Sequence, residues 1–151
     1  MSTKSTIGRM VQVVAGGLAR WAPGLAARAL AMLFTRPMSK AVATRDQAPM
    51  RDARRSSVLF RGGALAVYSW GEGPTVLLVH GWSGRASQLA RYAAPLVARG
   101  YRAVAVDGPG HGRSDGWFTN LPQMADALMA VQAQEGPFAG VLAHSVKGRP
   151  S

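Results

Sequence analysis

Three largely apolar stretches constrain this chain more than any other feature: Thr75-Val76-Leu77-Leu78-Val79, residues 101–106, and Phe138-Ala139-Gly140-Val141-Leu142-Ala143 leading into His144-Ser145-Val146. Runs without polar alternation are what strands covered on both faces of a parallel sheet require. A turn closes each of them. His80-Gly81-Trp82-Ser83-Gly84 follows the first and residues 107–116 follow the second, while the third carries Ser145 into a sharp turn. Residues 87–99 predict a helix with Leu89, Tyr92, Ala93 and Leu96 on one face and Gly100 as its cap. Residues 121–134 predict another, striped by Leu121, Met124, Ala125, Leu128 and Val131. Upstream, residues 57–61 and 64–70 flank Gly62-Gly63 as a hairpin, and Gly71-Glu72-Gly73-Pro74 is a further turn. Hairpin, strand, helix, strand, helix, strand is an α/β plan: three layers around a mostly parallel sheet.

The first 55 residues differ in character. They hold ten basic side chains against two acidic ones, net +8 of the whole chain's +11, whereas residues 56–151 hold eight against five. The expected division is therefore a basic helical extension and linker over 1–55 and an α/β portion over 56–151. Ile7, Met10, Val11, Val14, Leu18 and Trp21 recur at helical spacing, Pro23-Gly24 interrupts them, and a second apolar helical piece covers about 25–34. Residues 38–55 are polar and aperiodic and are read as a linker. Arg20 and Arg28 break the apolar run well short of the roughly 18 residues of a membrane span. A secretory signal is poorly formed, because no small-residue cleavage site precedes Arg20. The leader is read as a helical extension packing on its own domain, ahead of a peripheral membrane contact through residues 1–36. Nucleic acid is excluded as a partner: despite the charge there is no recognition motif and no interleaving of aromatic with basic residues. The chain has no cysteine, which removes disulfides, thiolate metal sites and a cysteine nucleophile, and is compatible with cytoplasm. The alternative location is the inner face of a membrane.

Three motifs in order resemble the front half of an α/β-hydrolase-fold enzyme of the serine hydrolase or esterase type, over about residues 57–146. His80-Gly81-Trp82 resembles the oxyanion-hole turn after the third strand. Asp107-Gly108-Pro109-Gly110-His111-Gly112-Arg113-Ser114 resembles the turn after the fourth, and Ala143-His144-Ser145-Val146 the nucleophile elbow after the fifth. The resemblance implies Ser145 as the nucleophile on an ester or similar acyl bond of a small molecule, with the backbone N–H groups of Trp82 and Val146 as oxyanion donors. It also implies that His80, Gly81 and Trp82 line the substrate site, and it implies no cofactor and no metal. Two positions depart from the pattern G-x-S-x-G: Ala143 replaces the first glycine, and Lys147 the second, where glycine serves close approach.

In such enzymes the acid and the histidine follow the nucleophile. Here only Lys147-Gly148-Arg149-Pro150-Ser151 follow, and His80, His111 and His144 each hold a family position other than the general base. The expectation is a hydrolase fragment cut just after its nucleophile and inactive by itself. Its last strand is central in the family's sheet, so an open edge predicts self-association. The competing expectation is a non-catalytic basic protein that binds an anionic membrane surface or a partner through its leader. Gly108-Pro109-Gly110-His111-Gly112 is not a phosphate loop, because it opens no helix in G-x-G-x-x-G form and lacks a Lys-Ser/Thr ending. Esterase, lipase, thioesterase and C–C bond hydrolase chemistry all remain open, while Ser145 disfavours relatives with an aspartate nucleophile such as dehalogenases.

Overall fold

The computed structural model describes residues 22–35, 37 and 44–144. By compactness the chain forms two units, Met1–Arg36 and Pro37–Ser151. In the first, helix α1 (Pro23–Thr35) starts at a proline, whose missing N–H costs nothing in a first turn. It ends at Thr35, whose Oγ1 donates to Ala31 O at 2.8 Å. The expected helix through Ile7 and Trp21 lies outside the described residues.

The second unit contains a five-stranded sheet of order β1-β2-β4-β3-β5, in which β1 is Arg54–Phe60, β2 Gly63–Trp70, β3 Thr75–His80, β4 Arg102–Val106 and β5 Phe138–His144. β1 and β2 form the hairpin. Arg61 (φ 48°) and Gly62 (φ 79°) make its two-residue turn, both in the left-handed region that matches strand twist. The hairpin is longer at its open end than the sequence suggested, since β1 begins at Arg54 opposite Ser69. β2 runs antiparallel to β4, while β3 lies parallel to both β4 and β5. β5 is thus an edge strand among the described residues, with Val141 exposed.

Alternation along the strands separates two cores. Leu65, Val67, Leu77, Val104 and Val106 face one side, where they pack with Ala127 and Val131. Tyr68, Trp70, Leu78, Ala103 and Ala105 face the other, against Ala86, Leu89, Ala90 and Ala93. The helix on the first side (Leu121–Glu135) is capped by Asn120, whose Oδ1 accepts from Gln123 N–H at 2.9 Å. Its buried stripe is rotated from expectation. Ala127 and Val131 are buried, one turn apart, while Leu121 in the first turn is exposed, as is Ala125. At its C-terminal end Glu135 pairs with Arg102 Nη2 at 2.6 Å, a largely buried bridge to the start of β4.

On the other side the expected helix over 87–99 is broken into 3-10 turns at Ala86–Gln88 and Ala90–Tyr92, and only Ala93–Val97 is α-helical. Pro95 explains part of this, because it has no N–H to offer a carbonyl in the preceding turn. Gly100 ends the helix as expected, with Gly100 N–H donating to Val97 O and Tyr101 N–H to Leu96 O. The supposed linker also differs. Thr44–Gln47 and Ala48–Met50 are helical turns, Met50 and Ala53 pack on the Tyr68 core, and Trp70 Nε1 donates to Pro49 O at 3.0 Å. An apolar Met and Ala amid charges gave too short a pattern to show this periodicity.

Candidate active site

Strand direction decides where the motifs meet. β3, β4 and β5 are parallel, with Val79 opposite Val106 and His80 opposite His144, so the C-terminal ends of all three lie at one edge of the sheet. That edge is where open α/β sheets place their sites. His80, Gly81 and Trp82 come together there with the glycine-rich turn after β4. Ser145 and Val146 lie outside the described residues.

Two histidines staple these turns. His80 Nε2 accepts from Gly108 N–H at 2.9 Å while its Nδ1 lies 2.8 Å from Gly81 O. His111 Nε2 accepts from Ser83 N–H at 3.1 Å, and its Nδ1 lies 2.9 Å from Pro109 O. A backbone N–H can only donate and a carbonyl can only accept, so each ring is the neutral Nδ1–H tautomer. The rings are 4.8 Å apart, and the Trp82 indole stands edge-on to His111 at 5.6 Å. The Trp82 side chain is itself partly exposed. Ser83, at φ 56°, turns the chain sharply under it.

Burial, ahead of any other cause, pushes both histidines below the ordinary imidazole value, and the nearby Asp107 carboxylate only partly offsets this. The unfolded chain therefore takes up protons at a higher pH than the folded one. Stability is full above about pH 6.5 and falls as the pH drops toward the depressed folded values. Protonation would also set an N–H against the Gly108 and Ser83 donors. Thermal melts at pH 7.5, 6.5 and 5.5 should show a progressive fall in Tm; a flat profile would contradict the neutral assignment.

Asp107, first residue past β4, organises the region. Its Oδ1 accepts from Ala86 N–H at 2.7 Å, and its Oδ2 from Arg113 N–H at 2.9 Å and from the Tyr68 hydroxyl at 3.3 Å. Tyr68 is pushed up to about 12, by burial first and then by Asp107, and stays a donor. The Ser114 hydroxyl donates to Asp107 O and accepts from Ala66 N–H at 2.8 Å. Asp115 Oδ2 accepts from Ala64 N–H at 2.9 Å. The sequence shows Asp107 only as the head of the turn after the fourth strand and does not reveal this bracing role. Its signal was an aspartate directly after an apolar strand, followed by a glycine turn.

Among the described residues the Trp82 N–H has no hydrogen-bond acceptor. No group of three or more described His, Asp or Glu side chains is placed to hold a metal ion. No described helix is long and apolar enough to cross a membrane.

Comparison with known proteins agrees with this arrangement. The family model for serine aminopeptidase, S33, matches residues 73–135. A serine hydrolase-like protein of Danio rerio is 34% identical over 106 residues, covering 63% of this chain and 32% of the relative. Its human namesake is 32% identical over 93 residues, covering 57% and 45%. Among solved structures, epoxide hydrolase VrEH1 from Vigna radiata superposes with a TM-score of 0.58 at 27% identity, over 64% of this chain and 33% of that one. The thioesterase domain from the curacin biosynthetic pathway gives 0.53 at 30% identity, over 61% and 35%. The sheet order, the braced turns and these likenesses make this chain a member of the α/β-hydrolase-fold superfamily. It spans about a third of the length of the zebrafish relative.

Proposed function

We propose that this chain carries the nucleophile and oxyanion portion of a serine hydrolase acting on an ester or similar acyl bond. Ser145 attacks the carbonyl, and the N–H groups of Trp82 and Val146 receive the oxyanion, each contributing about 3–4 kcal/mol to the transition state. The observation that carries the reading is the register of β3 and β5. His80 pairs with His144, so Ser145 follows a residue directly alongside the turn that holds Trp82. The braced histidines support that turn's geometry, and the unaccepted Trp82 N–H is available as a donor. His80, Gly81 and Trp82 would line the acyl site.

Neither His80 nor His111 can serve as general base, because both nitrogens of each are engaged. His144 is the last residue of β5 and directly precedes Ser145 in sequence, a family position other than that of the general base, which follows the nucleophile. The base and its carboxylate partner are then not supplied by these 151 residues, and the chain alone is inactive on acyl substrates. Epoxide hydrolase and thioesterase neighbours carry different chemistries, so the likeness leaves the substrate open.

The test begins with the coding DNA past codon 151, read in all three frames, and with fluorophosphonate labelling of the chain and of any longer product. The expected result is no labelling of the chain above the Ser145→Ala background, and labelling at Ser145 once separated Asp and His motifs are supplied. Labelling of the 151-residue chain at Ser145 would overturn its inactivity. An unlabelled Ser145 in a longer product with both motifs would overturn its assignment as nucleophile.

One observation favours a second role for the basic leader. Leu25 and Met32, seven residues apart and hence on one face of α1, are 60% and 75% exposed. If this face meets anionic lipid, the full chain should co-sediment with phosphatidylserine vesicles at low salt and be released at about 0.5 M salt. Equal sedimentation of a Leu25→Glu, Met32→Glu variant would exclude it.

A further inference from the structure

The turn that carries Trp82 has a second conformation close at hand, and a histidine stands where it can select between the two. Gly81, Trp82, Ser83 and Gly84 form a β-turn closed by Gly84 N–H donating to Gly81 O at 2.9 Å. Ser83 has φ 56°, while Trp82 keeps a negative φ. That combination is a type II turn, whose third position favours glycine or asparagine. Serine enters the left-handed region only at a cost, because its Cβ crowds the following carbonyl oxygen. Type I escapes that cost, and it differs from type II by half a rotation of one peptide plane, the one between Trp82 and Ser83.

What holds the costly form is His111. Its Nε2 accepts from Ser83 N–H at 3.1 Å, and that N–H belongs to the plane that would turn. The Trp82 carbonyl points to the opposite side of the same plane and accepts no hydrogen bond among the described residues. His80 makes a similar contact with Gly108 N–H, but that plane is pinned at its other end, where Asp107 O accepts from the Ser114 hydroxyl. Of the two rings, only His111 faces a peptide that its turn allows to reverse.

We propose that His111 is a positioning residue for the Trp82 turn, and that a single proton on its Nε2 reverses the peptide between Trp82 and Ser83. Neutral His111 accepts the Ser83 N–H and holds type II. With a proton taken up from water, Nε2 can only donate, and the half-rotated plane brings the Trp82 carbonyl to the place the N–H has left. On the face turned away from His111 an acceptor is then exchanged for a donor, one peptide along from the proposed oxyanion donor. That consequence for catalysis rests on the acyl-transfer reading. The reversal itself does not.

The groups around the ring are suited to one such event. Burial first, and then the neighbouring His80, set it below the ordinary imidazole range, against the pull of the Pro109 carbonyl and of Asp107. The ring centroids are 4.8 Å apart, so a first proton resists a second. Arg85, in the turn after β3, bears on His80. From β2, Tyr68 stays protonated and bonds Asp107, which Arg113 N–H also holds. Helix Leu121–Glu135 sends only the uncharged Met124 against Gly108, and β5 ends at His144 in register with His80. Type II is therefore the form at neutral pH, and the reversal appears as the pH falls through the depressed His111 value.

Nuclear magnetic resonance of the full isotope-labelled chain, titrated downward from neutral pH, tests this. The expected starting point is a His111 ring protonated at Nδ1 alone, with a strong Overhauser effect between Trp82 Hα and the Ser83 amide proton, the mark of type II. As His111 gains its second proton, that effect should give way to one between the Trp82 and Ser83 amide protons, the mark of type I, while the amides of β3 and β4 keep their positions. Ser83→Gly removes the cost of the positive φ and should move the midpoint down by about one pH unit. His111→Gln keeps an acceptor but has no titrating nitrogen, so its turn should stay type II throughout; should it fail to fold, Ser83→Gly alone decides. Protonation of His111 with the type II pattern intact, an unmoved midpoint in Ser83→Gly, the same change in His111→Gln, or loss of the strand amides together with the turn signals would each overturn the proposal. None of these outcomes bears on fluorophosphonate labelling, which can fail by itself.

Discussion

Asp107→Ala is expected to destabilise the α/β unit by about 3–5 kcal/mol, because it strands two buried backbone donors, Ala86 N–H and Arg113 N–H, together with the Tyr68 hydroxyl. The residue is 3% exposed, so water cannot readily replace the lost acceptors. Asp107→Asn keeps one acceptor oxygen but turns an NH2 toward a backbone donor, and should lose less, about 1–3 kcal/mol. Urea unfolding monitored by tryptophan fluorescence measures both. A loss below about 1 kcal/mol for the alanine variant would mean that the bracing described here is not what holds these turns.

The second large effect concerns Gly112, which sits at φ 51° with its α-carbon against the Asp107 carboxylate. A Cβ there would overlap both carboxylate oxygens, in a backbone region that L-residues other than glycine enter only at about 1–2 kcal/mol. Gly112→Ala should therefore cost 3 kcal/mol or more, on the order of a severe core substitution. Because the clash is with one named group, it should be coupled to it. In an Asp107→Ala background the further cost of Gly112→Ala should shrink by at least about 1 kcal/mol. Strict additivity in the double-mutant cycle would show that backbone conformation alone, and not contact with the carboxylate, makes glycine necessary.

The strands were legible because burial on both faces leaves a plain record, an apolar run closed by glycine. Thr75-Val76-Leu77-Leu78-Val79 gained only His80 in the structure. The order of the motifs was legible for the same reason, since each turn follows a run. What was hidden depended on partners far away in the chain. Residues 86–97 carry helical spacing, yet their first turns answer to Asp107, whose side chain holds Ala86 N–H from 21 positions downstream. Residues 44–53 looked like linker because their few apolar residues follow no helical or strand period, and the role of Met50 and Ala53 exists only once Tyr68 and Trp70 present a surface to cover. At the candidate site the histidine positions were legible as motif members. The nitrogen-by-nitrogen pairing that fixes their tautomer was not, since both acceptor contacts are to backbone amides 28 residues away.

The pairing of β5 with β3 also sets an order of events in time. The β1–β2 hairpin closes over two turn residues, and β4 joins β3 after one short excursion, but Thr75 must wait for Phe138 before its other flank is filled. Non-local parallel pairing is slow, because chain entropy is surrendered before contacts repay it. During synthesis the N-terminal four strands emerge first and can assemble while β5 is still inside the ribosome. For that interval the β3 edge is bare, with Leu77 and Leu78 beside it. The strand that leads to the proposed nucleophile is thus the last of the five described strands to join, and until it arrives the bare β3 edge is the most exposed to aggregation.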